Sequence, residues 1–268
     1  MTRDSCILAP VEFDASRCWS GWCDISPAKP VPLAGYARKE RFSAANASGL
    51  EANWLAFPAP DGAIVLVLAI DALFSSEAFE GAVIDALVRD GIWVSALWVV
   101  ASHTHFAPQL DPKKPKLARH VPEHLQDVAQ RIATSVQSAM DAAAIEMGEI
   151  RHGNEPAPGA VHRRRAGLKL LRKPPFFRRM AIPAPAPEVP ISRDLRLWML
   201  HGSAGEALGA VVHWSCHTVA AHPRNRVSAS HVGAIRAALR AVHAPSLPVI
   251  AMTGCSGDIR PDFRAPLW

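Results

Sequence analysis

Apolar and polar positions follow two periods along the chain, and the switches between them mark out elements. Residues 63–70 (Ala-Ile-Val-Leu-Val-Leu-Ala-Ile) are unbroken apolar and stop at Asp71. A short run of this kind predicts a buried strand. From Ser75 to Arg89 the spacing becomes helical, with Phe79, Val83, Ile84, Leu87 and Val88 on one face and Ser76 placed to cap the first turn ahead of Glu80. Ile92 to Ala101 is β-branched and aromatic again and predicts a second buried strand. Strand, helix and strand make a βαβ unit, whose crossover should be right-handed. Pro122 to Ala144 predicts another helix, striped by Leu125, Val128, Ile132, Val136 and Met140. Residues 195–200 and 208–214 predict a hairpin about the 202–205 turn. Ser228 to His243 predicts a third helix, with Val232, Ile235, Leu239 and Val242 inward, and residues 248–252 a last short strand. Residues 7–40, punctuated by Pro and Gly, read as a short strand and an ordered loop. The pattern predicts an α/β fold: a mixed sheet with flanking helices in a single domain over residues 1–268.

Composition agrees with a globular core. The chain has 268 residues, 49% hydrophobic and 20% charged, with a net charge of +5. The positive excess is clustered. His162-Arg163-Arg164-Arg165 and Lys169 to Arg179 carry most of it, and residues 183–190 are proline-rich. Residues 162–190 therefore read as a basic, Pro-rich excursion outside the core, best taken as a solvated loop. Residues 162–179 could alternatively form a gate for an anionic substrate or make peripheral contact with an anionic surface. No nucleic-acid-binding module surrounds the run, so no nucleic acid is expected as partner. Cys6, Cys18, Cys23, Cys216 and Cys255 form an odd set without a CxxC pair. That argues against a disulfide framework and for a reducing, cytoplasmic setting. Met1 to Cys6 lacks the apolar segment of a signal peptide, and the longest apolar stretch is too short to span a bilayer.

Candidate chemistry begins at Ser102-His103-Thr104-His105, just after the second predicted strand. On a strand, residues i and i+2 face one side, so the two imidazoles should project together from a strand's carboxyl end. Ligands collect there in α/β sheets, and paired imidazoles suit a divalent metal, most often zinc. Two hydrogen-bonded histidines at a strand end fit the same pattern. His217, in Ser215-Cys216-His217-Thr218, brings a third imidazole to another strand end, with His222 and His231 nearby. Gly254, Ser256 and Gly257 form a small-residue turn that presents Asp258. Cys216 and Cys255 read as buried small hydrophobes. His120, His124, His152, His201 and His243 read as surface residues. Asp71 either approaches the site or caps the following helix.

Taken in order, these segments resemble the neutral/alkaline ceramidase family in its N-terminal zinc-hydrolase domain. The resemblance runs from about Gly21 to Pro261. Residues 24–27 (Asp-Ile-Ser-Pro) resemble its D-I-T-P, and residues 33–38 (Leu-Ala-Gly-Tyr-Ala-Arg) its M-A-G-Y-x-x-R. Residues 102–108 resemble T-H-T-H-S-G-P, residues 215–218 the A-C-H-P-T segment, Asn225 to Gly233 the N-x-x-S-A-D-Y-x-G that follows, and Gly254 to Pro261 the G-x-x-G-D-x-x-P turn. The resemblance implies a zinc ion (Zn2+) held by His103 and His217. It implies His105 and Asp258 as catalytic neighbours, and a substrate amide held by the turn carrying Gly254, Gly257 and Arg260. It implies hydrolysis of a linear amide in a small or lipid-like N-acyl substrate by metal-activated water. Three positions depart from the family. Arg260 replaces a serine that takes part in catalysis. Ala229-Ser230-His231 stands where the family has A-D-Y. The family's later glutamate and tyrosine ligands have no counterpart before Trp268, and Tyr36 is the only tyrosine. His105, His222, His231 or Asp258 would have to complete the metal set. The same departures admit a shortened, catalytically impaired relative that binds a ligand or partner, or a homo-oligomer joined through an exposed sheet edge.

Overall fold

The computed structural model describes residues 10–36, 41–45, 49–170, 174, 177–220 and 225–263. Residues 1–6, Ala37-Arg38, His222, Trp268 and part of the 169–179 basic run lie outside the described residues. Among the described residues, eleven strands and three helices follow one another as β1 (Arg17–Asp24), β2 (Glu51–Pro58), β3 (Ile64–Ile70), α1 (Glu77–Arg89), β4 (Val94–Ala101), α2 (Pro122–Met140), β5 (Ile145–Pro156), β6 (Ala160–Leu170), β7 (Phe177–Ala186), β8 (Asp194–Gly202), β9 (Ala207–Trp214), α3 (His231–Val242), β10 (Val249–Thr253) and β11 (Ile259–Pro261). The α/β reading with a mixed sheet and flanking helices holds.

Eight strands form one sheet in the order β10-β9-β8-β5-β1-β2-β3-β4. Both ends of that sheet are βαβ units: β3 and β4 are parallel across α1, and β9 and β10 are parallel across α3. Burial shows how the sheet is used. Ala52, Trp54, Ala56, Ile64, Leu66, Leu68 and Ile70 pack against α1 and α2. The alternate positions Leu55, Val67 and Ala69 meet Leu200, Leu208 and Ile250 from the other half of the sheet. Beyond that half, Met199, Ala210, Val212 and Val249 pack against Ile235 and Leu239 of α3. The sheet thus folds over on itself, giving four layers: helices, sheet, sheet, helix. β3 is covered on both faces, which is why its sequence is continuously apolar rather than alternating.

The capping prediction for α1 holds: the Ser76 hydroxyl accepts the Phe79 N–H at 3.2 Å. α2 opens with Pro122 at its first turn and ends at Met140, short of the predicted Ala144. Several readings change. β4 is not a doubly buried strand but an end strand of the eight, with Trp98 50% exposed and Trp93 just before it 65% exposed. Residues 162–190 do stand outside the core, but mainly as strands. β6 and β7 form an antiparallel hairpin, joined at its root by β11 in a three-stranded sheet. Pro183 and Pro185 fit because β7 is the edge of that sheet and needs no donor on its outer side. His124 and His201 are buried rather than at the surface, and Cys255 is exposed while Cys216 is fully buried. No described helix is long and apolar enough to cross a membrane.

Candidate metal centre

Three strand ends are gathered around one carbonyl. Ser102, the residue after β4, donates its N–H to Ile70 O at 2.9 Å. Its own carbonyl accepts from Thr218 Oγ1 at 2.6 Å, in the loop after β9, and from Thr253 Oγ1 at 3.0 Å, at the end of β10. The His105 N–H donates to Thr218 O at 3.1 Å, closing the two histidine-bearing loops on each other.

The histidines converge here, though not by strand alternation. β4 ends at Ala101, and His103 takes φ 57°, the left-handed region rarely used by residues with a side chain. That turn lets both rings face the loop after β9. The His103 and His105 ring centroids are 5.3 Å apart, His103 and His217 4.7 Å, and His105 and His217 4.9 Å. Nitrogens of all three lie within 4.8 Å of one another.

The ring orientations suit a metal. His103 Nδ1 contacts Leu73 O at 2.9 Å and His217 Nδ1 contacts Ser256 O at 3.2 Å. A carbonyl only accepts, so each Nδ1 carries the proton and leaves Nε2 with its lone pair inward. Such carbonyl contacts are how proteins orient metal-ligating imidazoles. His105 Nε2 lies 3.0 Å from His217 Nε2. Two nitrogens on a tetrahedral zinc would be about 3.3 Å apart, so this pair is close to a bound spacing. Burial, followed by the neighbouring imidazoles, pushes His105 down to about 3. Burial and then the Arg163 cation bring His217 down to about 4, and burial lowers His103. All three rings are neutral near pH 7, the form that ligates. The donor set therefore fits a zinc ion.

The early loop forms a wall of this site. Gly35, at φ +105°, lies so close to His105 that a Cβ there would sit 2.6 Å from the ring. Tyr36 packs edge-on against His105 with centroids 5.2 Å apart, and Arg41 Nη2 donates to Ala34 O and His105 O at 2.6 and 2.8 Å. The tyrosine read from sequence only as an early-loop residue is thus beside the histidines.

The turn after β10 supplies the opposite wall. A Cβ on Gly254 would meet Ser215 Oγ at 2.3 Å, which shows how tightly this turn lies on the end of β9. Gly257 O accepts from Arg163 Nε and Nη2 at 3.0 and 2.7 Å. Asp258 is exposed, with its carboxylate 3.3 Å from His162 Nε2, and is not among the clustered metal-binding groups. Arg260 donates to Pro261 O at 2.8 Å and stacks on Phe263. Asp71 neither lines this site nor caps α1. It is buried and paired with Arg236 of α3 at 2.5 Å. His231 turns to Trp214, at 4.9 Å between centroids. Arg163 is the functional candidate that sequence reasoning passed over. It sits in a basic run otherwise facing solvent, and nothing but the fold of β6 onto β11 brings its charge within range of all three histidines.

No protein-family model matches the chain, and no curated protein matches it significantly. Solved structures do. A ceramidase complexed with C2 aligns at a TM-score of 0.67 with 16% identity, over 95% of this chain and 39% of that one. The neutral ceramidase from Pseudomonas aeruginosa aligns at 0.69 with 14% identity, over 97% and 41%. This chain spans about two fifths of the length of each. The fold is therefore ceramidase-like along nearly all of the chain.

Proposed function

We propose that this protein is a zinc-dependent hydrolase that cleaves the linear amide of a small or lipid-like N-acyl substrate. The observation that carries the reading is the convergence of His103, His105 and His217, all neutral, at the strand ends of a ceramidase-like fold. Three nitrogens with an open fourth position are the usual donor set of a catalytic zinc. His103 and His217, each oriented by a backbone carbonyl, would hold the ion, and His105 would supply the third nitrogen. When bound, zinc supplies Lewis acidity toward the scissile carbonyl and makes water a nucleophile near neutral pH. Arg163, fixed by the Gly257 carbonyl, presents positive charge to the oxygen that becomes anionic and then to the carboxylate product. The turn at Gly254 and Gly257 is the wall against which the substrate amide lies. Asp258 acts there by holding His162 rather than by contacting the ion. The balance is one amide and one water giving one carboxylate and one amine.

Metal analysis of the purified protein tests this. About one zinc per chain is expected, lost in His103→Ala and His217→Ala, together with turnover on a panel of N-acyl amides. Less than a tenth of an equivalent, unchanged by His217→Ala, with no turnover on zinc addition, would overturn it.

A further inference from the structure

The turn that orients His217 also collects cations. Ser256 O meets His217 Nδ1 at 3.2 Å, while Gly257 O accepts from Arg163 Nε and Nη2 and Asp258 O accepts the Arg163 N–H at 2.7 Å. Just after Asp258, Arg260 pairs with Val161 across β11 and β6, beside Arg163. The β6–β7 register shifts between His162 and Arg164, an irregularity of the kind that re-aims a side chain, here that of Arg163. Arg163, Arg164 and Arg260 therefore form one cluster. Burial, then the Arg164 cation, hold Arg163 below the ordinary arginine range; Asp258 opposes that shift and Arg260 adds to it. The Arg163 charge reaches all three clustered histidines, and the Arg164 charge reaches His217. Counter-charge is short. Asp258 is the one carboxylate that acts on Arg163, its side chain is 57% exposed, and it already lies 3.3 Å from His162. Arg164 and Arg260 have no ion pair among the described residues. Arg163 uses Nε and Nη2 on a neutral carbonyl and keeps Nη1 without a partner among them.

We propose that the substrate carries a carboxylate within a few bonds of the scissile amide, and that Arg164 and Arg260, flanking Arg163, recognise it. The inference rests on the hydrolase reading. Three guanidiniums held together repel one another, and an anion relieves that repulsion where a neutral chain does not. A planar guanidinium offers two parallel donors that match the two oxygens of a carboxylate. A substrate cation would meet the same charges as repulsion and is selected against. The anion lies near the amide because Arg163, which shares the cluster, acts on the histidines themselves. Arg163 stays with the reacting oxygen, and the flanking pair holds the carboxylate that does not react. That carboxylate sits on the amine half in an N-acyl amino acid and on the acyl half in a half-amide of a dicarboxylic acid. Arg164 and Arg260 are thus specificity residues, touching substrate and not the ion.

Matched amides with one medium-length chain test this on the zinc-loaded protein. An N-acylglycine is compared with its N-acylglycinamide, and an N-alkyl half-amide of succinate with its neutral diamide. One of the two acids should be cleaved with a kcat/KM about tenfold or more above its neutral counterpart. The preference should shrink as added salt screens the charges. Arg164→Gln and Arg260→Gln should each lower that ratio about threefold, and the double variant should bring it near one, with zinc content unchanged. Arg260→Lys, which keeps the charge, should retain most of it. γ-Keto carboxylates and their neutral amides, in which a methylene replaces the scissile N–H, give the same comparison by calorimetry without hydrolysis. If the double variant fails to fold, the single variants and the salt dependence decide the matter. Equal handling of acid and neutral compound in both pairs overturns the proposal. So does a preference for acid that survives the double substitution, since the carboxylate would then meet the ion itself. The two readings separate cleanly. A keto-acid preference abolished by the double substitution, without turnover of any amide, leaves the cation cluster standing and removes the hydrolase. Turnover that favours the neutral amides leaves the hydrolase and removes the carboxylate.

Discussion

Gly35 is where a single atom decides the geometry of the site. At φ +105° an added methyl would be strained, and it would also press 2.6 Å from the His105 ring. Gly49 offers an internal comparison, at φ +97° with nothing within 4 Å. Gly35→Ala and Gly49→Ala should each lower the melting temperature by about 2–8 °C, the cost of forcing a side chain into a left-handed conformation. Only Gly35→Ala should also weaken zinc affinity, by about tenfold or more, read by competition with a chelator. Equal metal affinity in the two variants would show that the early loop does not position His105. At this scale His103, His105 and His217 were legible because imidazoles at apparent strand ends stand out against apolar surroundings. Arg163 was not, because it is one of three consecutive arginines, and sequence cannot say which of them turns inward.

The link between α3 and the strands beneath α1 is ionic. Arg236 pairs with Asp71 at 2.5 Å and with Glu51 at 3.3 Å, while Arg240 grips both Glu51 oxygens at 2.8 Å. Arg236 is 3% exposed and Asp71 2%. Removing one member of a buried pair strands the other charge, so Asp71→Asn should cost about 3–5 kcal/mol in denaturant unfolding. The double variant Asp71→Leu/Arg236→Met should recover most of it, because replacing both charges by apolar groups is often neutral. A double variant as unstable as the single one would mean that the pair itself, and not the stranded charge, holds the layers. The helices α1, α2 and α3 and the β8–β9 hairpin were legible from their apolar periodicity, and β3 from its unbroken apolar run, the mark of a strand covered on both faces. β5 escaped because nearly every position of it is exposed, so no alternation marks it. β2 escaped because Asn53 is buried in its middle, where Oδ1 accepts the Val249 N–H at 2.9 Å.

For the whole molecule, the decisive event is the folding of one sheet over itself, and no local pattern announces it. The contact of Leu55 with the Leu200 and Leu208 side of the sheet joins residues far apart in sequence, and it is what carries His217 to His103. That arrangement also buries histidines, which makes stability depend on pH. His124 on α2 is 8% exposed, and burial takes it down to about 4 from an ordinary value near 6.5. The folded value lies below the unfolded one, so the unfolded chain takes up the proton first. The stabilisation is complete above about pH 6.5 and is lost as the pH falls toward 4. His105 and His217 add to the slope in the same direction in metal-free protein. Chelator-treated protein should therefore lose stability steadily over that window, with His124 alone contributing roughly 2–3 kcal/mol. His124→Gln should flatten the curve by about that amount while leaving the metal-dependent part intact, since His124 lies outside the cluster at the strand ends. Denaturant midpoints at pH 7, 5.5 and 4.5 for the two proteins give the comparison, and parallel curves would refute the assignment of that slope to His124.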